Sequence, residues 1–184
     1  MPIRTIRTRT ALLLAVALTA GGLGGCSALT AAMGFTDCEG SGERVERLRS
    51  IALLDTPPKG ATEPRGYEGV EAGCWEDSGY ASVQADRTYA FSGTPAEVIR
   101  HYRTAAARDG WRPGSTGRSV PDMPIDLCFT RSVDGTPTIL TVSSLTPTTL
   151  AWESGPVPPE LATGSGFRVE ATADVEGGAI DCDD

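Results

Sequence analysis

V-Q-A-D-R-T-Y-A-F-S-G-T-P-A-E-V-I-R-H-Y-R-T-A-A-A-R-D-G-W, residues 83–111, is the stretch on which the fold turns. Its odd positions Val83, Ala85, Tyr89 and Phe91, with Arg87 as the exception, share one face of a strand because strand side chains alternate with period two. Ser92-Gly93 breaks that strand. Thr94-Pro95-Ala96-Glu97 then starts a helix: a hydroxyl at the cap, a proline where no N–H is needed, and a glutamate three residues after the cap. Together these form a capping box that satisfies donors the first turn leaves orphaned. Val98, Ile99, Tyr102, Ala105 and Ala106 fall on one helical stripe, with Arg100, Arg103, Ala107 and Arg108 on the other side. Gly110 is the expected left-handed stop, and Trp111 beyond it is placed to fold back on Ala106.

Outward from this stretch, Val45, Leu48, Ile51 and Ala52 recur at helical spacing until Asp55-Thr56-Pro57-Pro58 stops them, which predicts an amphipathic helix over Glu43–Leu54. Arg44, Arg47 and Arg49 point outward there, interleaved with Glu43 and Glu46, and read as a solvated face. Lys59 to Gly69 reads as a loop. Val70 to Asp77 reads as a short strand that pairs with residues 83–91 through Ser78-Gly79.

Past Trp111, residues 112–124 hold three prolines and two glycines and read as an irregular loop. Ile125 to Val133 alternates Leu127, Phe129, Arg131 and Val133 against Cys128 and Thr130, and Asp134-Gly135 is the preferred pair for a two-residue hairpin turn. Thr138 to Leu145 returns. Thr146 to Gly166 is a long Pro/Gly-rich connection with one helical turn expected at Pro158 to Leu161. Phe167, Val169, Ala171 and Ala173 alternate in a last strand before an acidic tail. No regular alternation of strand and helix implies a parallel sheet. The expected fold is α+β: an antiparallel sheet of about five strands, with a main helix, Thr94–Asp109, on one face and the N-terminal helix Glu43–Leu54.

The start of the chain reads as an address. Arg4, Arg7 and Arg9 precede an apolar run, Ala11 to Ala20, too short to span a bilayer, as in a signal peptide. It ends in Leu23-Gly24-Gly25-Cys26, the pattern of a lipobox, with Cys26 as the lipidated residue. The expected organisation is a lipoprotein signal peptide over 1–25, a lipidated tether over 26–37 and a single α+β domain over 38–184. Removing the first 25 residues leaves 13 basic side chains against 24 acidic ones, a formal charge of −11. Such a surface disfavours nucleic acid and anionic lipid headgroups. The expected membrane link is therefore the lipid alone.

Cys38, Cys74, Cys128 and Cys182 remain, an even number in an oxidising compartment with no C-x-x-C spacing, so two disulfides are expected rather than a zinc site. Three pairings are open. The preferred one joins Cys74 with Cys128, each in a strand-like run flanking residues 83–111, and Cys38 with Cys182, tying the ends of the domain.

The lipobox, the strand ending R-T-Y-A-F, the run T-P-A-E-V-I-R-H-Y-R-x-A-A-x-x-D-G-W and the C-F-T-R hairpin resemble small secreted lipoproteins of actinobacteria, of the Streptomyces type. The resemblance covers roughly Asp37 to Cys182. It implies an envelope location and no catalytic residue.

Chemistry is sparse. His101 is the only histidine, and no G-x-S-x-G, S-x-x-K or H-E-x-x-H surrounds a candidate nucleophile. It reads as a boundary residue packing its ring. Glu76-Asp77 and Asp122 with Asp126 are the carboxylates a glycosidase would need, since that chemistry takes two acids about 5–10 Å apart. Nothing in the sequence brings them together. Asp174, Glu176, Asp181, Asp183 and Asp184 lack the glycine-centred spacing of a calcium loop. Of Trp75, Trp111 and Trp152, all of which the core could claim, Trp111 has a packing role and Trp152 has none, so Trp152 in the long connection is the candidate partner contact. The expected function is a lipid-anchored, non-catalytic cell-envelope protein that binds a protein, a peptide or a wall component. It needs no cofactor or metal and takes no nucleic acid. The alternatives are an envelope-polymer hydrolase and a small-ligand binding or sensor lipoprotein. An acidic pocket around His101 would favour the first of these.

Overall fold

Alternation and turn chemistry carry most of the architecture. A computed structural model describes residues 36–114, 124–146, 149–150, 157–162 and 166–182, and the residues from Asp37 onward form one compact unit. The elements are helix α1 (Gly42–Arg49), a 3-10 turn (Ala52–Asp55), β1 (Glu71–Asp77), β2 (Tyr80–Ala90), helix α2 (Pro95–Arg108), β3 (Arg112–Pro113), β4 (Asp126–Val133), β5 (Thr136–Leu145) and β6 (Gly166–Asp174). The strands form one six-stranded sheet in the order β1-β2-β6-β5-β4-β3, and every pairing is antiparallel. This is an α+β fold with one strand more than the sequence suggests.

Two hairpins make the sheet's halves. Ser78 and Gly79 turn β1 into β2 with φ of 52° and 87°, and Asp134 and Gly135 turn β4 into β5 with φ of 48° and 85°. Positive φ at both central positions is the geometry that matches strand twist, and it accounts for glycine at the second place. The last strand, β6, then inserts between β2 and β5, so the C-terminal strand is the centre of the sheet.

Period two divides the sheet's sides. Ala81, Val83, Ala85 and Tyr89 of β2 lie beside Ala173, Ala171 and Phe167 of β6, then Leu140 and Val142 of β5, then Phe129 and Leu127 of β4. All belong to the main core cluster together with Val98, Tyr102, Ala105 and Ala106 of α2 and with Leu48, Ile51, Leu53 and Leu54. Tyr102 meets Phe167 edge to face at 5.9 Å, and Phe167 also meets Tyr89 at 5.4 Å. Burying an aromatic or a branched aliphatic side chain is worth about 1.5–3 kcal/mol each, so the α2 stripe anchors the helix far more strongly than its propensity does. On the sheet's other side a second cluster, Ala90, Leu145, Leu150 and Leu161 with Tyr67, covers one end. Leu161 is held by a turn in which its N–H donates to the Pro158 carbonyl.

The caps of α2 are those read from the sequence. Thr94 Oγ1 accepts from the Glu97 N–H, and Glu97 Oε2 accepts from the Thr94 N–H at 2.7 Å. At the other end Gly110 takes φ of 77° while the Trp111 N–H donates to the Ala106 carbonyl at 2.9 Å and the Gly110 N–H to that of Ala107. Those two bonds define a Schellman ending. Trp111 is buried, with the Arg131 guanidinium 4.6 Å from its ring centre.

Three expectations need correction. The helix expected over Glu43–Leu54 stops at Arg49: the Ser50 hydroxyl donates to the Arg47 carbonyl, and Ile51 turns extended at φ −67°, ψ 115°. The break lets Leu48, Ile51, Leu53 and Leu54 all be buried, which an unbroken 100° repeat would not allow. The residues after Trp111 are not wholly irregular, because Arg112–Pro113 adds a short edge strand on β4, where a proline costs no ladder bond. The disulfides join Cys38 to Cys74 and Cys128 to Cys182, with Cα separations of 5.7 and 5.8 Å, rather than Cys74 to Cys128 and Cys38 to Cys182. Cys74 on β1 and Cys128 on β4 are four strand spacings apart, roughly 19 Å, and alternation puts them on opposite sides of the sheet. They cannot meet.

Arg87, the exception in the β2 pattern, sits at an inward position opposite Val169. It is tolerated because it pairs with Asp55 at the end of the 3-10 turn and with Glu63 in the following loop. A charge at that depth needs such partners, and the pairs tie residues 55–63 to the sheet.

Candidate functional site

The segment after the 3-10 turn builds one wall of a cleft. Pro58-Lys59-Gly60-Ala61 is a turn closed by the Ala61 N–H on the Pro58 carbonyl, with Gly60 at φ 95°. Positive φ at the third position calls for glycine and presents the second residue, Lys59, at the tip. The wall is pinned at both ends. His101 Nε2 donates to the Thr56 carbonyl at 2.6 Å, and since a carbonyl only accepts, that nitrogen carries the proton. Thr62 bridges Ala90 through two backbone bonds of 2.8 and 3.0 Å, bringing the wall against Phe91.

The floor is the side of α2 turned away from the apolar stripe. Glu97, Arg100, His101, Thr104 and Arg108 recur at helical spacing along it. With Pro58, Lys59 and Phe91 they line an open cleft of about 440 Å³, within the size range of small-molecule sites. Arg100 and Arg108 are eight residues apart, about 12 Å along the axis. The Thr104 hydroxyl lies between them and donates to the Arg100 carbonyl.

The electrostatics of this cleft oppose those of the chain. Lys59, Arg100 and Arg108 take part in none of the ion pairs among the described residues, whose cations are Arg47, Arg49, Arg87 and Arg168. The acid lining the cleft, Glu97, is an anion: its carboxylate accepts from the Thr94 N–H and then from the Thr94 hydroxyl, and these bonds, helped by the neighbouring Arg100 charge, hold it below the usual carboxylate range. Charges farther than about 8 Å are screened at physiological salt. The net −11 therefore does not set the local potential, and with three cations against the one carboxylate of Glu97 the cleft is basic.

A smaller hollow of about 170 Å³ opens beyond Phe91, lined by Val98, Ile125 and Phe167 at the N-terminal end of α2. Its walls are mostly apolar.

The residues singled out from the sequence are dispersed. Cys26, Trp152, Asp122, Asp183 and Asp184 lie outside the described residues. Glu76 Oε1 accepts from the Cys38 N–H at 2.8 Å and Asp77 accepts from the Ser78 hydroxyl, and as neighbours on β1 they point to opposite sides. They do not flank a common substrate site. Asp126 is half-buried at the start of β4. Asp174 folds onto its own turn, accepting from the Glu176 and Gly178 N–H groups, and among the described residues no His, Cys, Asp or Glu trio converges as metal donors would. Trp75 is exposed on the far side of β1, over Gly73. His101 is beside cations, not in an acidic pocket.

Sequence reading missed the cleft itself. Arg100 and Arg108 read as a solvated helix side, and nothing local says that Lys59, forty residues earlier, folds across it. Comparison with protein-family models, curated proteins and solved structures finds no match, so the geometry of this cleft carries the functional argument.

Proposed function

We propose that the protein is a lipid-anchored, non-catalytic binding module of the bacterial cell envelope. Cys26 tethers it to the outer face of the membrane, and the cleft between α2 and the Lys59 turn takes an anionic partner from the envelope. The Leu23-Gly24-Gly25-Cys26 motif supports the anchor. Two disulfides suit an oxidising compartment, and among the described residues no helix is long and apolar enough to cross a membrane. In this reading α2 has two duties: its apolar stripe holds the sheet, and its opposite side holds the ligand.

The observation that carries the reading is the gathering of Lys59, Arg100 and Arg108, all without ion-pair partners, in one cleft of a chain with 24 acidic side chains. Three cations against one carboxylate give the cleft a positive local potential, which draws an anionic ligand.

Two variants of the full chain test the two halves of the proposal. Cys26→Ala abolishes fatty-acid labelling and frees the protein from the membrane; unchanged extraction behaviour in detergent rejects the anchor. Arg100→Gln with Arg108→Gln and Lys59→Gln weakens retention on isolated envelope fragments at least a hundredfold, on the basis of about tenfold or more for each charged hydrogen bond lost. Retention equal to that of the parent chain rejects the cleft as the contact surface.

A further inference from the structure

The two edges of the sheet differ in kind. β3 closes one with two residues, Arg112 and Pro113, and so short a strand with a proline offers little to another chain. β1 closes the other with seven, Glu71–Asp77, and no proline. The Ser78-Gly79 turn makes Asp77 and Tyr80 a bonded pair, and bonded pairs recur at every second residue. Trp75, Gly73 and Glu71 therefore also bond to β2, while the N–H and C=O groups of Ala72, Cys74 and Glu76 point out of the sheet. No backbone hydrogen bond among the described residues reaches them from outside. These groups are a template for one more strand.

Side chains decide what that strand is. Glu71, Glu76 and Asp77 are exposed, and none of them takes part in an ion pair among the described residues. A second copy docked antiparallel about Cys74 would set Glu71 opposite Asp77 twice, and like charges directly opposite are destabilising. The same carboxylates favour a strand with lysine or arginine opposite Glu71 and Asp77. Between these two, on the far side of the sheet, lie Gly73 and the exposed Trp75, whose ring covers Gly73. A β-branched side chain opposite either finds an apolar surface. On the other side Cys38 is joined to Cys74 and its N–H donates to Glu76, so small side chains suit those positions. We propose that the outer edge of β1 takes up an extended, lysine- or arginine-bearing segment of a soluble polypeptide as an antiparallel seventh strand. Such a segment has its own backbone unpaired beforehand, as a free chain end or a linker does. The site is separate from the cleft: Phe91 follows Ser82, the partner of Trp75, by nine residues, about 30 Å along a strand.

The test titrates the full chain in neutral detergent with a dye-labelled, end-blocked peptide, Lys-Thr-Val-Ser-Val-Thr-Lys, read by fluorescence anisotropy. Its lysines fall opposite Glu71 and Asp77 and its valines opposite Gly73 and Trp75. It binds about tenfold more tightly than the counterpart with glutamate at both ends, and Glu71→Lys with Asp77→Lys inverts that preference. N-methylation of its serine and both threonines, whose N–H groups face β1, weakens binding at least about tenfold. N-methylation of its valines, whose N–H groups face away, changes it by less than about threefold. Ala72→Pro removes an outward N–H that no ladder bond uses, and weakens binding by at least about threefold. Hydrogen exchange slows over Glu71–Asp77 with the peptide bound, while α2 exchanges as before. Equal loss from the two methylation patterns, or binding that survives both, overturns the seventh strand. No binding of the lysine peptide also overturns it and leaves the acids as a guard against self-pairing. Dimers of the parent chain in sedimentation, dissolved by Ala72→Pro, assign the edge to a second copy and overturn the proposal. Circular dichroism separates lost contact from lost folding; should Ala72→Pro not fold, the charge reversal and the methylated peptides decide the matter.

Discussion

Tyr89 and Tyr102 make the core respond to alkali. The Tyr89 hydroxyl donates to the Leu54 carbonyl at 2.6 Å beside Arg87, and burial pushes its pKa up to about 12, with Arg87 pulling it down and Glu63 pushing it up. Burial raises Tyr102 further, with Tyr89 adding to the effect. In the unfolded chain both ionise near pH 10. Their folded-state values are raised, so the stability they contribute is complete below pH 10 and is lost as pH climbs toward 12 and beyond. Tyr89 alone accounts for a loss of about 2 kcal/mol across that window. Thermal melts from pH 8 to 12 check this: the parent's midpoint falls above pH 10, and Tyr89→Phe with Tyr102→Phe flattens the fall. Parallel slopes would contradict it. At this scale the sequence was informative about exceptions but not about their partners. Arg87 breaks an apolar pattern and so demands acids, yet nothing marks Asp55 and Glu63 among the 24 available. His101 reads as a boundary residue, which it is, but its bond to Thr56 depends on where a double proline sends the chain.

Among the elements, α2 was the most legible because its signals are local and agree with one another: a capping box, an apolar stripe and a glycine stop within eighteen residues. Gly110 tests that reading. At φ 77° with both Schellman bonds formed, Gly110→Val places a β-branched side chain where left-handed backbone costs at least 1–2 kcal/mol. Urea unfolding is expected to show a loss of about 2 kcal/mol with the slope unchanged, and Gly110→Ala a smaller one. A change below 0.5 kcal/mol for both would mean that the helix ending does not depend on this conformation. The Asp134-Gly135 hairpin was legible for the same reason of locality. The end of α1 was not, since leucine spacing alone does not reveal that Ser50 and Ile51 break the helix to bury four side chains. Two residues of edge strand, one of them a proline, leave almost no periodic signal.

For the molecule as a whole, everything set by distant contacts lay beyond the sequence. The central place of β6 follows from hairpin docking, and the cysteine pairs follow from strand order, so neither can be read from local runs. With loops of 36 and 54 residues, the two disulfides add about 4 kcal/mol each by the chain-entropy estimate. They tie the N-terminal approach to β1 and the C-terminal tail to β4, outside the cleft. The cleft itself belongs to this scale, since it joins a turn, a helix and the end of a strand. Its role is tested most directly by hydrogen exchange of the full chain with and without isolated envelope fragments. Added protection is expected over residues 56–61 and over α2, with the exposed Trp75 and Tyr80 hairpin unchanged. Protection confined to that hairpin or to the far side of the sheet, with α2 and the Lys59 turn exchanging as before, would contradict the assignment of the cleft as the binding surface.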